Sequence, residues 1–95
     1  MNKIQESFNK VKEESKDYVT QKVINRTKLL VDLLKGSPSF FFTMRNSIQI
    51  EYENCLEFEV FEDFIECYYE INNIEHELII KNSRQVKQVI ELINK

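Results

Sequence analysis

The 95-residue chain has one glycine, Gly36, one proline, Pro38, one histidine, His76, and no tryptophan. A single glycine leaves no Gly-rich loop to wrap a phosphate, and no Pro/Gly/Ser tract separates one part of the chain from another. Residues 1–95 therefore read as a single domain without the commonest nucleotide-binding elements. The two cysteines, Cys55 and Cys67, lack CxxC spacing and read as free thiols of a reducing compartment rather than a disulfide or metal pair. No apolar run reaches the ~18 residues of a membrane span, and the N-terminal region lacks a signal peptide's apolar segment and cleavage site. The expected location is the cytoplasm. The most informative absence is basic charge: from Ile48 to Glu70, IQIEYENCLEFEVFEDFIECYYE, there is no Lys or Arg.

The net charge of −3 conceals a segregation. Residues 1–35 carry net +3, residues 36–80 net −9 and residues 81–95 net +3. With 42% hydrophobic residues the chain has enough apolar material for a core. The acid is thus concentrated in one structural region.

Apolar residues at Phe8, Val11, Val19, Val23, Leu30 and Leu34 follow a helical spacing through residues 1–35, and Gly36 with Pro38 supplies the stop. A continuous helix of that length would run roughly 50 Å, so either it bends near the polar residues 12–17 or its N-terminal part protrudes. From 39 to 80 the period is two, the signature of strands. Loops at Arg45, Asn46 and Ser47 and at Glu53, Asn54 and Cys55, followed by turns at Glu62–Asp63 and Asn72–Asn73, keep apolar residues on one face. Phe40, Phe42, Met44, Ile48, Ile50, Tyr52, Leu56, Phe58 and Val60 fall there together, and His76 points inward opposite Tyr69. Ser83 can cap a helix over 83–95, with Val86, Val89, Ile90 and Ile93 facing in. The expected fold is α+β: a five-stranded antiparallel meander with a long N-terminal and a short C-terminal helix on one face.

The same register turns Phe41, Thr43, Gln49, Glu51, Glu57, Glu59, Phe61, Phe64, Glu66, Tyr68, Glu70, Glu75, Glu77 and Ile79 outward, half of them carboxylates. Glu51 falls opposite Glu57, Glu59 opposite Glu66 and Glu70 opposite Glu75. Like charges across a sheet destabilise it by roughly 0.2–1 kcal/mol, so the arrangement points to a cationic partner. A solvated face that keeps the sheet soluble is the competing account. Phe61, Phe64 and Tyr68 supply interface-type aromatics, and the hairpin tip at Glu62 and Asp63 is the expected hot spot.

Catalysis is not expected, because His76 has no positioned partner set and neither cysteine has an assignable base. Strand-borne glutamates lack a loop that would gather the oxygens a Ca²⁺ or Mg²⁺ ion requires, so neither metal nor cofactor is expected. The lysines of the first helix alternate with acids, and direct nucleic-acid binding is not expected either. Ile4, Phe8 and Val11, or the first strand if it is an edge, offer routes to a homodimer.

The block from LLVDLLKGSPSFFF through NSIQIEYENCLEFEVFEDFIECYYE resembles a pattern in small phage and mobile-element proteins: a helix, a Pro-containing connection, then hairpin strands of the forms IQ-E-aromatic and LE-E. The glycine that often precedes the Ile-Gln strand is replaced here by Asn46 and Ser47. Such short acidic proteins look like anti-CRISPR inhibitors, and the resemblance implies a nuclease or effector complex as target and the host cytoplasm as location. On this reading the glutamates stand in for phosphates in a basic channel. The alternatives are an antitoxin or immunity protein against a basic toxin, and a self-assembling structural protein of a phage or mobile element.

Overall fold

A computed structural model describes residues 3–53 and 55–93. The elements follow in the order α1 (Lys3–Ser15), α2 (Gln21–Val31), β1 (Ser39–Thr43), β2 (Ser47–Tyr52), β3 (Leu56–Val60), β4 (Ile65–Ile71), β5 (Ile74–Ile80) and α3 (Ser83–Ile93). The strands form one antiparallel sheet in the order β1-β2-β3-β4-β5. The fold is α+β, as the change of period from helical to two predicts.

The expected long N-terminal helix is two helices. The backbone leaves α1 with the N–H groups of Tyr18 and Val19 both donating to the Ser15 carbonyl, at 2.8 and 3.0 Å. Thr20 then opens α2 in an extended conformation. Its N–H donates to Asn46 Oδ1 at 2.7 Å and its hydroxyl to Glu62 Oε2 at 2.7 Å. Two separate hairpin turns therefore fix the position of the break. Because the chain breaks there, α1 folds back onto β1 and α2 instead of protruding, and Ile4, Phe8 and Val11 are buried in the core.

The core lies between the sheet and the helices. Ile48, Ile50, Phe58, Val60 and Cys67 from the strands meet Phe8, Val23, Leu30, Val86 and Val89 from the helices, all nearly or fully buried. Burial pushes the Cys67 thiol up to about 12, leaving it neutral and inert. Gly36 takes φ +84° after α2, the left-handed stop expected of it. α3 is capped by Asn82 rather than Ser83: Asn82 Oδ1 accepts the Gln85 N–H at 3.1 Å, while Gln85 Oε1 accepts the N–H groups of Lys81 and Asn82. This reciprocal pair is a capping box, satisfying several otherwise orphaned donors.

The register from β2 onward matches the sequence expectation, with Tyr52 opposite Leu56, Val60 opposite Ile65, and Ile71 opposite Ile74. Of the expected loop residues between β2 and β3, Asn54 lies outside the described residues. At the first hairpin the turn is residues 44–46, one earlier than expected, because Asn46 takes the left-handed conformation (φ 58°) that returns the chain into β2. Ser47 thereby joins β2, and Met44, expected in the core row, is 83% exposed. Phe40 and Phe42 keep their inward face, opposite Ile50 and Ile48. None of the described helices is long and apolar enough to cross a membrane.

Candidate functional site

Strand alternation sends the acidic residues to the face opposite the helices, and the cross-strand register sorts them into rows. One row runs Glu51, Glu57, Tyr68, Glu77 across β2 to β5; the next, toward the first hairpin turn, runs Gln49, Glu59, Glu66, Ile79. On the other side Glu70 pairs with Glu75 in β4 and β5. The three like-charge oppositions expected from the sequence are all present.

Their electrostatics differ. Glu59 is buried, and its Oε2 accepts hydrogen bonds from Arg45 Nη2 and Ser47 Oγ, each at 2.6 Å. Ser47 Oγ in turn lies 2.5 Å from Thr43 Oγ1. Arg45 reaches over the sheet from the turn, so the face is not without base after all, and Glu59 is withdrawn from solvent. Glu66 accepts the Tyr68 hydroxyl, and that carboxylate, together with partial burial and the nearby glutamates, pushes the Tyr68 phenol up to about 12. The Glu59–Glu66 opposition is therefore relieved from both sides.

Less relief reaches the neighbouring row. Burial, then hydrogen bonding to and repulsion by Glu51, raise the Glu57 carboxyl above its ordinary value, with Glu59 adding to the effect and Arg45 opposing it. Among the described residues neither Glu51 nor Glu57 makes an ion pair with a base, and neither do Glu70, Glu75 or Glu77. These residues and Tyr68 line a shallow open depression of about 500 Å³ at the end of the sheet where β2 gives way to β3 and where the turn 72–73 lies. Negative potential is thus concentrated at that end.

The expected hot spot is tied down. Glu62 accepts the Thr20 hydroxyl through its side chain, and its carbonyl accepts Arg26 Nε at 3.0 Å. Phe61 and Phe64 stack on each other, with centroids 4.8 Å apart, and are half-buried. Asp63 alone at this tip is exposed. The structure therefore separates the expected site into a braced end, with Glu59, Phe61, Glu62, Phe64 and Glu66, and an open end, with Glu51, Glu57, Tyr68, Glu70, Glu75 and Glu77.

His76 lies on the helix side of the sheet, as expected, but it is exposed and stacks on Tyr69 with centroids 4.9 Å apart. The helices do not cover this end of β5: Ile80 is buried whereas Ile74 is 60% exposed. No group of three or more His, Cys, Asp or Glu side chains among the described residues is placed to hold a metal ion.

No protein-family model, curated protein or solved structure matches this chain.

Proposed function

We propose that this protein is a non-enzymatic acidic binding module whose open sheet end occupies a Lys/Arg-lined, nucleic-acid-binding channel on a nuclease or effector complex. The observation that carries this reading is the row Glu51, Glu57, Tyr68, Glu77 beside the Glu70–Glu75 pair, where like charges stand opposite one another and, among the described residues, none is ion-paired with a base. Such a cost is offset when a cationic surface neutralises several carboxylates at once. Neighbouring strands lie roughly 4.8 Å apart and same-face residues recur every ~6.7 Å along a strand, so the carboxylates are spaced on the same scale as, though more widely than, the charges of a phosphate backbone at ~3.4 Å per strand. Tyr68, bound to Glu66, supplies an aromatic ring in the middle of the row.

The test is capture of partners from a host lysate by the whole protein at low and high salt, in parallel with the Glu57→Gln/Glu75→Gln variant. The expected result is a basic nucleic-acid-binding protein that is retained at low salt, released by salt or by added duplex DNA, and lost with the variant. Capture that is indifferent to salt, DNA and the two substitutions would overturn the reading.

A further inference from the structure

The two edges of the sheet are unlike. The β5 edge carries Glu75 and Glu77 on its outer face, the kind of charge that discourages a strand from pairing with another copy. The β1 edge, Ser39-Phe40-Phe41-Phe42-Thr43, has no charge and no proline within it, and pairs with β2 residue for residue without a bulge. Phe41 at its centre is 47% exposed on the outer face. An edge without charge, proline or bulge is a template for an added strand, even where it is short and flanked by a helix as β1 is by α1.

We infer that the β1 edge pairs with the β1 edge of a second copy of this chain, about a two-fold axis at Phe41, making one continuous ten-stranded sheet. The strand is self-complementary in that register: Ser39 meets the partner's Thr43, Phe40 meets the partner's Phe42, and the two Phe41 rings meet on the axis. Charge selects the same arrangement on the helix side. Lys10 and Glu14, one turn apart on α1, line the groove between α1 and β1 together with Ser7, Pro38 and Phe41. Neither makes an ion pair within its own chain among the described residues. A two-fold axis perpendicular to the sheet runs the two α1 helices antiparallel and sets Lys10 toward the partner's Glu14, and Glu14 toward the partner's Lys10.

The acidic rows do not oppose this pairing. The outward carboxylate nearest the axis is Glu51, one strand in from the edge. Two copies keep these at least three strand spacings apart, roughly 14 Å, beyond the ~8 Å screening length of physiological salt. The acidic ends point away from each other, so the dimer would present two copies of the surface assigned above to a cationic partner. The inference does not depend on that assignment.

The test is sedimentation equilibrium of the whole protein over a wide concentration range, in reductant so that the exposed Cys55 forms no disulfide. A reversible dimer is expected. Phe41→Lys sets two cations on the axis, and Lys10→Glu sets acid against acid; each should raise the dimer Kd by roughly tenfold or more. The charge-swapped Lys10→Glu/Glu14→Lys variant should restore the affinity, a rescue that a merely destabilised fold would not give. A wild-type chain that stays monomeric to about 1 mM overturns the inference. So does a dimer indifferent to both Phe41→Lys and Lys10→Glu.

Discussion

Arg45 Nη2 lies 2.6 Å from Glu59 Oε2, an ion pair in which the carboxylate side chain is 7% exposed and the guanidinium side chain 63% exposed. The base comes from the β1–β2 turn and the acid from β3, the strand on the far side of β2. One long side chain thereby neutralises the buried member of a face that is otherwise acidic and lets Ser47 and Thr43 complete the polar cluster beneath it.

Removing that base leaves a buried carboxylate with Ser47 as its remaining partner. Arg45→Met should therefore lower stability by about 1–3 kcal/mol, below the cost of breaking a fully buried pair because Arg45 is itself largely in solvent. Glu59→Gln in the Arg45→Met background should recover most of the loss. Urea denaturation of both single variants and the double variant measures the coupling.

The same pair shows where sequence reading stops. The outward set was legible because alternation and turn chemistry fix which way each strand residue points, and Glu51 opposite Glu57 or Glu70 opposite Glu75 follows from counting across the turns. The change of period puts Arg45 in a loop, and nothing in a period of two says where a loop side chain of that length will reach. Similarly, the polar residues 12–17 marked a weak point in the N-terminal helical stretch, but the location of the break depends on Asn46 and Glu62, 26 and 42 residues beyond Thr20. Alternation gives the face of His76, yet its exposure depends on how far the helix layer extends over β5, which the strand pattern does not encode.

Two phenols should titrate late. Burial pushes Tyr52 up to about 12, and the hydrogen bond to Glu66 does the same for Tyr68. For an acid whose folded pKa is raised, the folded state holds the proton more tightly than the unfolded state. The associated stability is present below the ordinary phenol value of 10 and is lost as pH rises from there toward 12. An ultraviolet titration should show these two ionising together with alkaline unfolding, and Tyr68→Phe should remove one late phenol from the curve.

The Asn72–Asn73 turn holds both residues at positive φ, 54° and 65°. Asn73→Gly should be tolerated with a change of under about 1 kcal/mol, since glycine adopts this conformation freely. Asn73→Pro cannot adopt it, because the ring fixes φ near −65°. Proline there should cost roughly 3 kcal/mol or more in thermal or urea unfolding and open the hairpin bearing Glu70 and Glu75.

Glu57 separates stability from binding. Its carboxyl is raised in the folded state, first by burial and then by Glu51, so the folded chain holds that proton more tightly than the unfolded chain. The sign follows: the contribution to stability is complete below the ordinary value of 4.5 and is lost as pH rises through the folded value, leaving net repulsion at neutrality. Glu57→Gln removes the repulsion and should stabilise the fold at pH 7 by about 0.2–1 kcal/mol, the scale of a cross-strand pair. It should also flatten the pH dependence of urea unfolding above 4.5. A purely solvated face predicts that gain without any loss of binding. If the row engages a cationic partner, the more stable protein is the poorer binder, and its complex is less sensitive to salt. Measuring unfolding and partner affinity on the same variant distinguishes the two, because their signs are opposite.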